Sequence, residues 1–386
     1  MIRGYRVRFR LGDLPGPTND SGISYAWKTI RPKSGVYNAG RRVETPMRPF
    51  KKRAASMLLL SLAVPVHAQK PVWKDPSPHT TRFVTVEKDV RLEVLDWGGS
   101  GSPLVLLAGG GDTAHVFDDF APKLTPSFHV YGITRRGFGQ SGFSPEGYGA
   151  DRLGDDVLAV LDALNLKKPV LVGNSLGGEE LSSVATRHPN RVTALVYLEA
   201  AYPYAFDNGK GPTWKEFEDA RKLWPSAPPP SESDPGLASF GALQQAFKRA
   251  LGLTYPEGEL RQLFTATPDG RVGKQRDFPG DAVMLQGMKK YANIPVPALA
   301  IFAIPHAQPK WMTDSADPKV REAAKAFWAA DDALTTRQAK AFEEGVPTAH
   351  VVRLRGADHY VYLSNEADVL REMKSFLSSL RLQSPD

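Results

Sequence analysis

From Phe83 onward, short runs of β-branched and other apolar residues alternate with longer stretches whose apolar positions recur at helical spacing. The runs Phe83–Val86, Leu92–Asp96, Leu104–Leu107, Val130–Ile133, Val170–Val172, Val192–Leu198, Ala298–Ala303 and Val351–Leu354 predict strands. Leu153, Val157, Leu161 and Leu164 fall at i, i+4, i+8 and i+11, one face of a helix. Further helices are expected at Ala114–Leu124, Leu176–His188, Pro318–Glu344 and Asn365–Leu380. This alternation predicts an α/β fold, a mostly parallel eight-stranded sheet with helices on both faces, carried by residues 80–200 and 296–382. Residues 201–295 break the pattern. They hold no clear buried strand, include Pro228-Pro229-Pro230, and are rich in aromatics from Tyr202 to Tyr291, so they are expected to form a helical cap inserted after strand six.

The N-terminal 68 residues are different in kind. Residues 1–46 are Arg- and Gly-rich and patternless, and are expected to be an unstructured or non-native extension upstream of Met47. Arg48, Lys51, Lys52 and Arg53 then precede an apolar stretch, Ala54–Val64, followed by Val66 and Ala68 at the −3 and −1 positions of a cleavage site. That order predicts a signal peptide over residues 47–68 and a secreted or periplasmic protein. The apolar run is shorter than the roughly 18 residues that span a bilayer, so no stable membrane anchor is expected after cleavage. Charge follows the same division. The formal net charge is +7, but residues 1–68 hold 13 of the 49 Lys+Arg and 3 of the 42 Asp+Glu, leaving 36 basic and 39 acidic residues in the remainder. Nucleic acid is therefore not expected as a partner. With no cysteine, thiolate nucleophiles, disulfides and Cys-based metal sites are excluded, and nucleophilic chemistry falls to serine and histidine.

Pro169-Val170-Leu171-Val172 runs directly into Gly173-Asn174-Ser175-Leu176-Gly177-Gly178 and then a helix, which is G-x-S-x-G in its strand–turn–helix setting. The turn leaves little room for side chains near the serine. It sets Oγ at a helix N-terminus, where the dipole and the Leu176 N–H face an oxyanion. A serine needs a base within hydrogen-bond reach. His115 and His306 lie at the same carboxyl edge of the sheet, but only His359, after the last strand, satisfies the order serine, acid, histidine.

At these residues the chain resembles the capped, lipase- and esterase-like α/β-hydrolases, over roughly residues 80–380. The matching pieces are Leu107-Ala108-Gly109-Gly110-Gly111, Arg136-Gly137-Phe138-Gly139-Gln140-Ser141, the turn around Ser175, and Ala357-Asp358-His359. The resemblance implies Leu176 and Gly110 as oxyanion donors. Ala108 stands where the family usually has histidine, but the Gly110 donor is a backbone N–H. The family most often places its acid after strand seven, where this chain reads Ala303-Ile304-Pro305-His306-Ala307-Gln308 without a carboxylate. Glu199, at the end of strand six, resembles the placement in some branches of the fold and is preferred as the acid; Asp314 is the alternative. Asp358 adjoins His359, and its side chain is expected to diverge.

Other signals point elsewhere. Gly137-Phe138-Gly139-Gln140-Ser141-Gly142 fits G-x-G-x-x-G, but no helix opens after it, so it is expected to be a tight loop and no dinucleotide cofactor is predicted. His115 and His306 lack paired metal-ligand spacing, and neither an Asp/Glu/His cluster nor a metal is expected. Asp112 is expected in a turn or as a helix cap. The function expected is hydrolysis of small-molecule carboxylic esters through an acyl-enzyme, with Ser175, His359 and Glu199 catalytic and no cofactor. Lactone or carbon–carbon bond hydrolysis on the same fold, and a non-catalytic binding role, are the alternatives.

Overall fold

Successive side chains along a strand point to opposite faces. In the computed structural model, which describes residues 73–226, 235–283 and 287–381, that alternation sorts the apolar residues into two core layers. The strands are β1 (Thr80–Glu87), β2 (Val90–Gly98), β3 (Ser102–Leu107), β4 (Phe128–Ile133), β5 (Val170–Asn174), β6 (Ala194–Leu198), β7 (Phe264–Ala266), β8 (Val272–Gln275), β9 (Ala298–Ala303) and β10 (Ala349–Leu354). Leu104 and Leu106 of β3 enter one layer with Val196 and Leu198 of β6. Val105 and Leu107 enter the other with Leu195 and Tyr197.

One eight-stranded sheet has the order β1-β2-β4-β3-β5-β6-β9-β10. β1 with β2 and β2 with β4 are antiparallel, and the other pairs are parallel. All the predicted strand runs are present, with Val192 and Thr193 just outside β6. Asn174 of β5 is in register with Leu198 of β6, and Leu198 with Ile301 of β9, so the chain leaves these strands at one edge. That is the edge at which open α/β sheets assemble their sites.

Helices cover both faces. α1 (Ala150–Ala163) and α2 (Gly177–Arg187) bury Val157, Leu161, Leu181 and Val184 in one layer. In the insertion, α3 (Trp214–Arg221) adds Phe217 to that layer, while α4 (Phe240–Leu251) and α5 (Glu257–Leu263) add Phe240, Leu243, Phe247 and Leu260 to the opposite one. α6 (Lys310–Thr313) is followed by α7 (Pro318–Gly345), a helix that passes from one layer to the other: Phe327 and Trp328 lie in the first, Leu334 and Phe342 in the second. α8 (Val361–Ser364) and α9 (Glu366–Arg381) close the chain. No described helix is long and apolar enough to cross a membrane.

Two expectations are corrected. Ala114–Leu124 is not one helix but two 3-10 turns, Ala114–Phe117 and Ala121–Lys123. Pro122 has no N–H for the carbonyl of Asp118, so a continuous helix cannot pass it. The insertion is not wholly helical either, because β7 and β8 pair as an antiparallel hairpin around Gly270 at φ +85°. It also falls in the same compact unit as the sheet. The expected signal peptide and N-terminal extension lie outside the described residues.

Candidate active site

The turn after β5 is built around glycine. A Cβ on Gly178 would stand 2.1 Å from the Ala200 carbonyl oxygen, and one on Gly173 would stand 2.7 Å from the Gly177 carbonyl carbon. With both positions closed to side chains, the strand turns sharply into α2. Ser175 is held at φ +47°, a left-handed conformation costly for a non-glycine residue and maintained only by its surroundings. Its N–H donates to the Leu198 carbonyl at 3.3 Å, and its own carbonyl accepts the Gly178 N–H at 2.9 Å. Leu176 caps α2, so its N–H belongs to the helix N-terminal set that has no intrahelical acceptor.

Glu199 leaves β6 at φ +51° and is completely buried. Its Oε1 accepts the Ala303 N–H at 2.6 Å, and its Oε2 accepts the Tyr202 hydroxyl at 2.6 Å. The same Oε2 stands 3.2 Å from His359 Nδ1 and 3.2 Å from His306 Nε2. Burial alone would raise this carboxyl, but the charge and hydrogen bond of His306 and the hydrogen bond of His359 outweigh it and hold the group at about 2. Glu199 is thus an anion shared by two imidazoles.

His306 is what makes this anion tenable. Its Nδ1 lies 2.7 Å from Asp332 Oδ1, an oxygen that also accepts the His306 backbone N–H at 3.0 Å, while its Nε2 faces Glu199. With a carboxylate at each ring nitrogen, both nitrogens donate and the ring is an imidazolium. Burial would lower its pKa, but Glu199 and Asp332 raise it well above the ordinary histidine value.

Further contacts fix the surroundings. The Asn174 side-chain amide donates to the carbonyls of Leu198 at 2.9 Å and His359 at 3.3 Å, tying the Ser175 turn to the His359 loop. Asp358 points away, its Oδ1 accepting the Tyr360 N–H at 3.0 Å. Asp314 is exposed at the end of α6 and accepts a hydrogen bond from Thr313. The structure therefore brings Glu199, not Asp314, to His359.

Gly109 packs against the serine, since a Cβ there would lie 3.2 Å from Ser175 Cβ. Arg135 Nη2 and Nη1 donate to the carbonyls of Ala108 at 2.9 Å and Gly109 at 3.0 Å, while Glu180 holds the guanidinium bidentately at 2.7 and 3.0 Å. In a trans peptide C=O and N–H point in opposite directions. Turning the Gly109 carbonyl toward Arg135 therefore turns the Gly110 N–H away from it. Asp112 is buried and accepts the Tyr360 hydroxyl at 2.9 Å, and Thr113 rather than Asp112 caps the turn that follows. The Gly137–Gly142 segment closes on itself through the Gly137 N–H and the Gly142 carbonyl at 2.9 Å.

The expected absence of an Asp/Glu/His cluster is overturned. Asp75, His79, His115 and Asp118 converge, each with a donor atom within 4.8 Å of the others. They come from two segments about forty residues apart, so no local spacing signals them. Arg135, Tyr202, His306 and Asp332 were likewise not assigned from sequence. Of these only His306 carried a signal, its place at the correct sheet edge.

The fold and this edge define an α/β hydrolase scaffold. The chain matches the alpha/beta hydrolase fold family over residues 102–269. It is 32% identical over 164 residues to an AB hydrolase superfamily protein, YisY, of Bacillus subtilis, covering 41% of this chain and 60% of that one. It is 32% identical over 125 residues to the bifunctional esterase/perhydrolase DCH of Acinetobacter calcoaceticus, covering 31% of this chain and 45% of that one. The match thus spans only part of these relatives' length. Among solved structures, E-2-(acetamidomethylene)succinate hydrolase superposes with a TM-score of 0.54 at 18% identity, covering 78% of this chain and 99% of that one, a likeness of fold.

Proposed function

We propose that the chain is a serine hydrolase that cleaves carboxylic esters of small molecules through an acyl-enzyme. The observation that carries this reading is the Glu199–His359 contact of 3.2 Å at the sheet edge where Ser175 is held in a strained turn. In this mechanism His359, held in one tautomer by Glu199 at Nδ1, takes the Ser175 proton as Oγ attacks the ester carbonyl. Glu199 stabilises the imidazolium that forms. The N–H groups of Leu176 and Gly110 receive the oxyanion, and His359 then protonates the departing alcohol. Water, activated by the same histidine, attacks the acyl-serine and releases the acid. The partial match to an esterase/perhydrolase supports an ester as substrate. We extend the proposal to export, with residues 47–68 removed as a signal peptide.

The test is turnover of p-nitrophenyl esters of graded acyl length by wild type, Ser175→Ala, Glu199→Gln and Asp314→Asn. Loss of turnover in the first two variants, with Asp314→Asn unaffected, is the expected result. An inactive Asp314→Asn would move the acid. A wild type inert on every ester would defeat the ester reading and turn attention to lactones, carbon–carbon bonds or binding without turnover. N-terminal sequencing of the protein exported by a secreting host is expected to begin at Gln69.

A further inference from the structure

Asp75 and His79, just before β1, meet His115 of the 3-10 turn after β3 and Asp118 at its end. His79 Nε2 lies 3.3 Å from Asp118 Oδ1 and 3.6 Å from Asp75 Oδ2. His115 Nδ1 lies 3.0 Å from Asp118 Oδ2 and 3.4 Å from Asp75 Oδ2. Zinc binds nitrogen and oxygen donors at about 2.0–2.2 Å, which places the corners of a tetrahedron about 3.3–3.6 Å apart. The four histidine–carboxylate separations bracket that spacing, all four donors lie within 4.8 Å of one another, and two imidazoles with two carboxylates are a donor set that zinc accepts.

Three further observations point to a ligand. The side chains of His79 and Asp118 are 6% and 3% exposed, yet His79 Nδ1 has no hydrogen-bond partner, and His79 Nε2 and Asp118 Oδ1 meet only in the ion-pair contacts above, without well-formed hydrogen-bond geometry. Such atoms are costly to bury unmet. Next, Gly258 of α5 leaves a space among the donors: a Cβ there would lie 2.5 Å from Asp118 Oδ2, 2.8 Å from Asp75 Oδ2 and 3.4 Å from His115 Nδ1. Finally, His115 Nε2 lies 3.6 Å from Glu93 Oε1, and Glu93 in turn accepts the Thr134 hydroxyl at 2.8 Å. A carboxylate behind the far nitrogen of a ligating histidine is the usual outer support of a metal site. Among the described residues, no lysine or arginine is ion-paired with Asp75, Asp118 or Glu93, so the negative charge of the pocket is met only by the two rings.

We infer that Asp75, His79, His115 and Asp118 form a closed, structural site for a divalent zinc ion. All four positions of a tetrahedron are taken by protein, so the ion has no place for a substrate and does no chemistry. It fastens the segment entering β1 to the turn that continues the Gly109–Gly111 loop, with Gly258 of the insertion packed over it. Binding exchanges any protons on the two rings for Zn2+.

The test uses the full chain, stripped with EDTA and titrated with ZnCl2 in a calorimeter, with MgCl2 and CaCl2 as controls. One Zn2+ per chain is expected, with a higher thermal midpoint and no comparable response to Mg2+ or Ca2+. Loss of a ligand in His79→Gln or Asp118→Asn should lower Zn2+ affinity by more than about a hundredfold, and Glu93→Gln by about ten- to a hundredfold. Gly258→Ala keeps every donor but fills the space between them, and should also lose the ion. If these variants do not fold, Co2+ added to the stripped wild type provides an independent readout, an intense visible spectrum of tetrahedral cobalt. No stoichiometric Zn2+ binding by the wild type, an octahedral cobalt spectrum, or binding that survives in the folded His79→Gln and Asp118→Asn proteins would each overturn the inference.

Discussion

Glu179 gives a quantitative test of the interior behind the Ser175 turn. It lies in the first turn of α2, is 1% exposed, and neither carboxylate oxygen has a hydrogen-bond partner. Glu180 and Asp151 add negative charge nearby, and the nearest opposing charge, Arg135, is already held bidentately by Glu180. Burial, followed by the charge of Glu180, pushes the Glu179 carboxyl from its ordinary 4.5 up to about 8. An acid whose folded pKa is raised keeps its proton in the native state while the unfolded chain gives it up. Its contribution to stability is therefore full below about pH 4.5 and is lost as the pH rises to about 8. At about 1.4 kcal/mol per pKa unit, this interval is worth about 5 kcal/mol. Glu179→Gln keeps the shape and removes the titration. Near pH 5 the variant should match wild type to within the roughly 1–3 kcal/mol that separates two imperfectly satisfied polar groups. By pH 8.5 it should be the more stable protein by several kcal/mol. Urea unfolding of both proteins from pH 5 to 8.5, compared at constant m, isolates the effect because titrating groups not coupled to Glu179 cancel in the difference. Parallel stability curves would refute the argument and mean that Glu179 ionises freely in the native state.

Three other outcomes are expected. His306→Asn removes the cation that holds Glu199 anionic, and a hydrogen bond to a charged group is worth about 1.5–3 kcal/mol, so kcat on a cleaved ester should fall roughly ten- to a hundredfold with KM little changed. The acid limb of its pH–rate profile should also move upward, because Glu199 would no longer be held at about 2; an unaltered kcat and profile would remove His306 from any positioning role. Arg135→Met leaves Glu180 buried without its partner and frees the Ala108 and Gly109 carbonyls, which should cost about 3–5 kcal/mol in chemical denaturation, while Arg135→Lys should cost less. Gly178→Ala places a methyl carbon 2.1 Å from the Ala200 carbonyl oxygen, so soluble folded protein should be lost; a stable variant would mean that the turn can widen.

The strands were legible because their signal is local and periodic, and because burial in two layers demands an apolar residue on each face, as Leu104 and Val105 show. The Ser175 turn was legible because glycine is the only residue that fits where Gly178 meets Ala200. Glu199 was picked out by its place at the end of β6, beside β5, together with the family resemblance. Where the signal was local but misjudged, a particular residue explains it: Pro122 divided an expected helix into 3-10 turns, and Pro268-Asp269-Gly270 marked a hairpin whose strands are too short to show alternation. What sequence could not reveal depends on distant segments meeting in space. Asp332 reaches His306 from the middle of α7, and Asp75 and His79 reach His115 and Asp118 across β1 and β3.

The histidine at position 306 shows how such a departure from a family pattern acquires physical sense. The resemblance leads one to expect a carboxylate after β9; this chain has the His306 imidazole there, and a buried carboxylate, Glu199, stands at the end of β6. A carboxylate in that position is completely buried, and desolvation would drive it toward the neutral acid. A neutral acid could still accept a hydrogen bond from His359 but would bring no negative charge to an imidazolium there. The Ala303 and Tyr202 hydrogen bonds are neutral donors, and the His359 contact at 3.2 Å is long, so none of them supplies a full opposing charge. An imidazolium at 3.2 Å, itself fixed by Asp332 at 2.7 Å, supplies the opposing charge from the loop after β9. The two changes are therefore linked. Without His306 the buried Glu199 would keep the Ala303 and Tyr202 hydrogen bonds and the His359 contact but lose its opposing charge, and without Glu199 the His306 imidazolium would keep Asp332 alone.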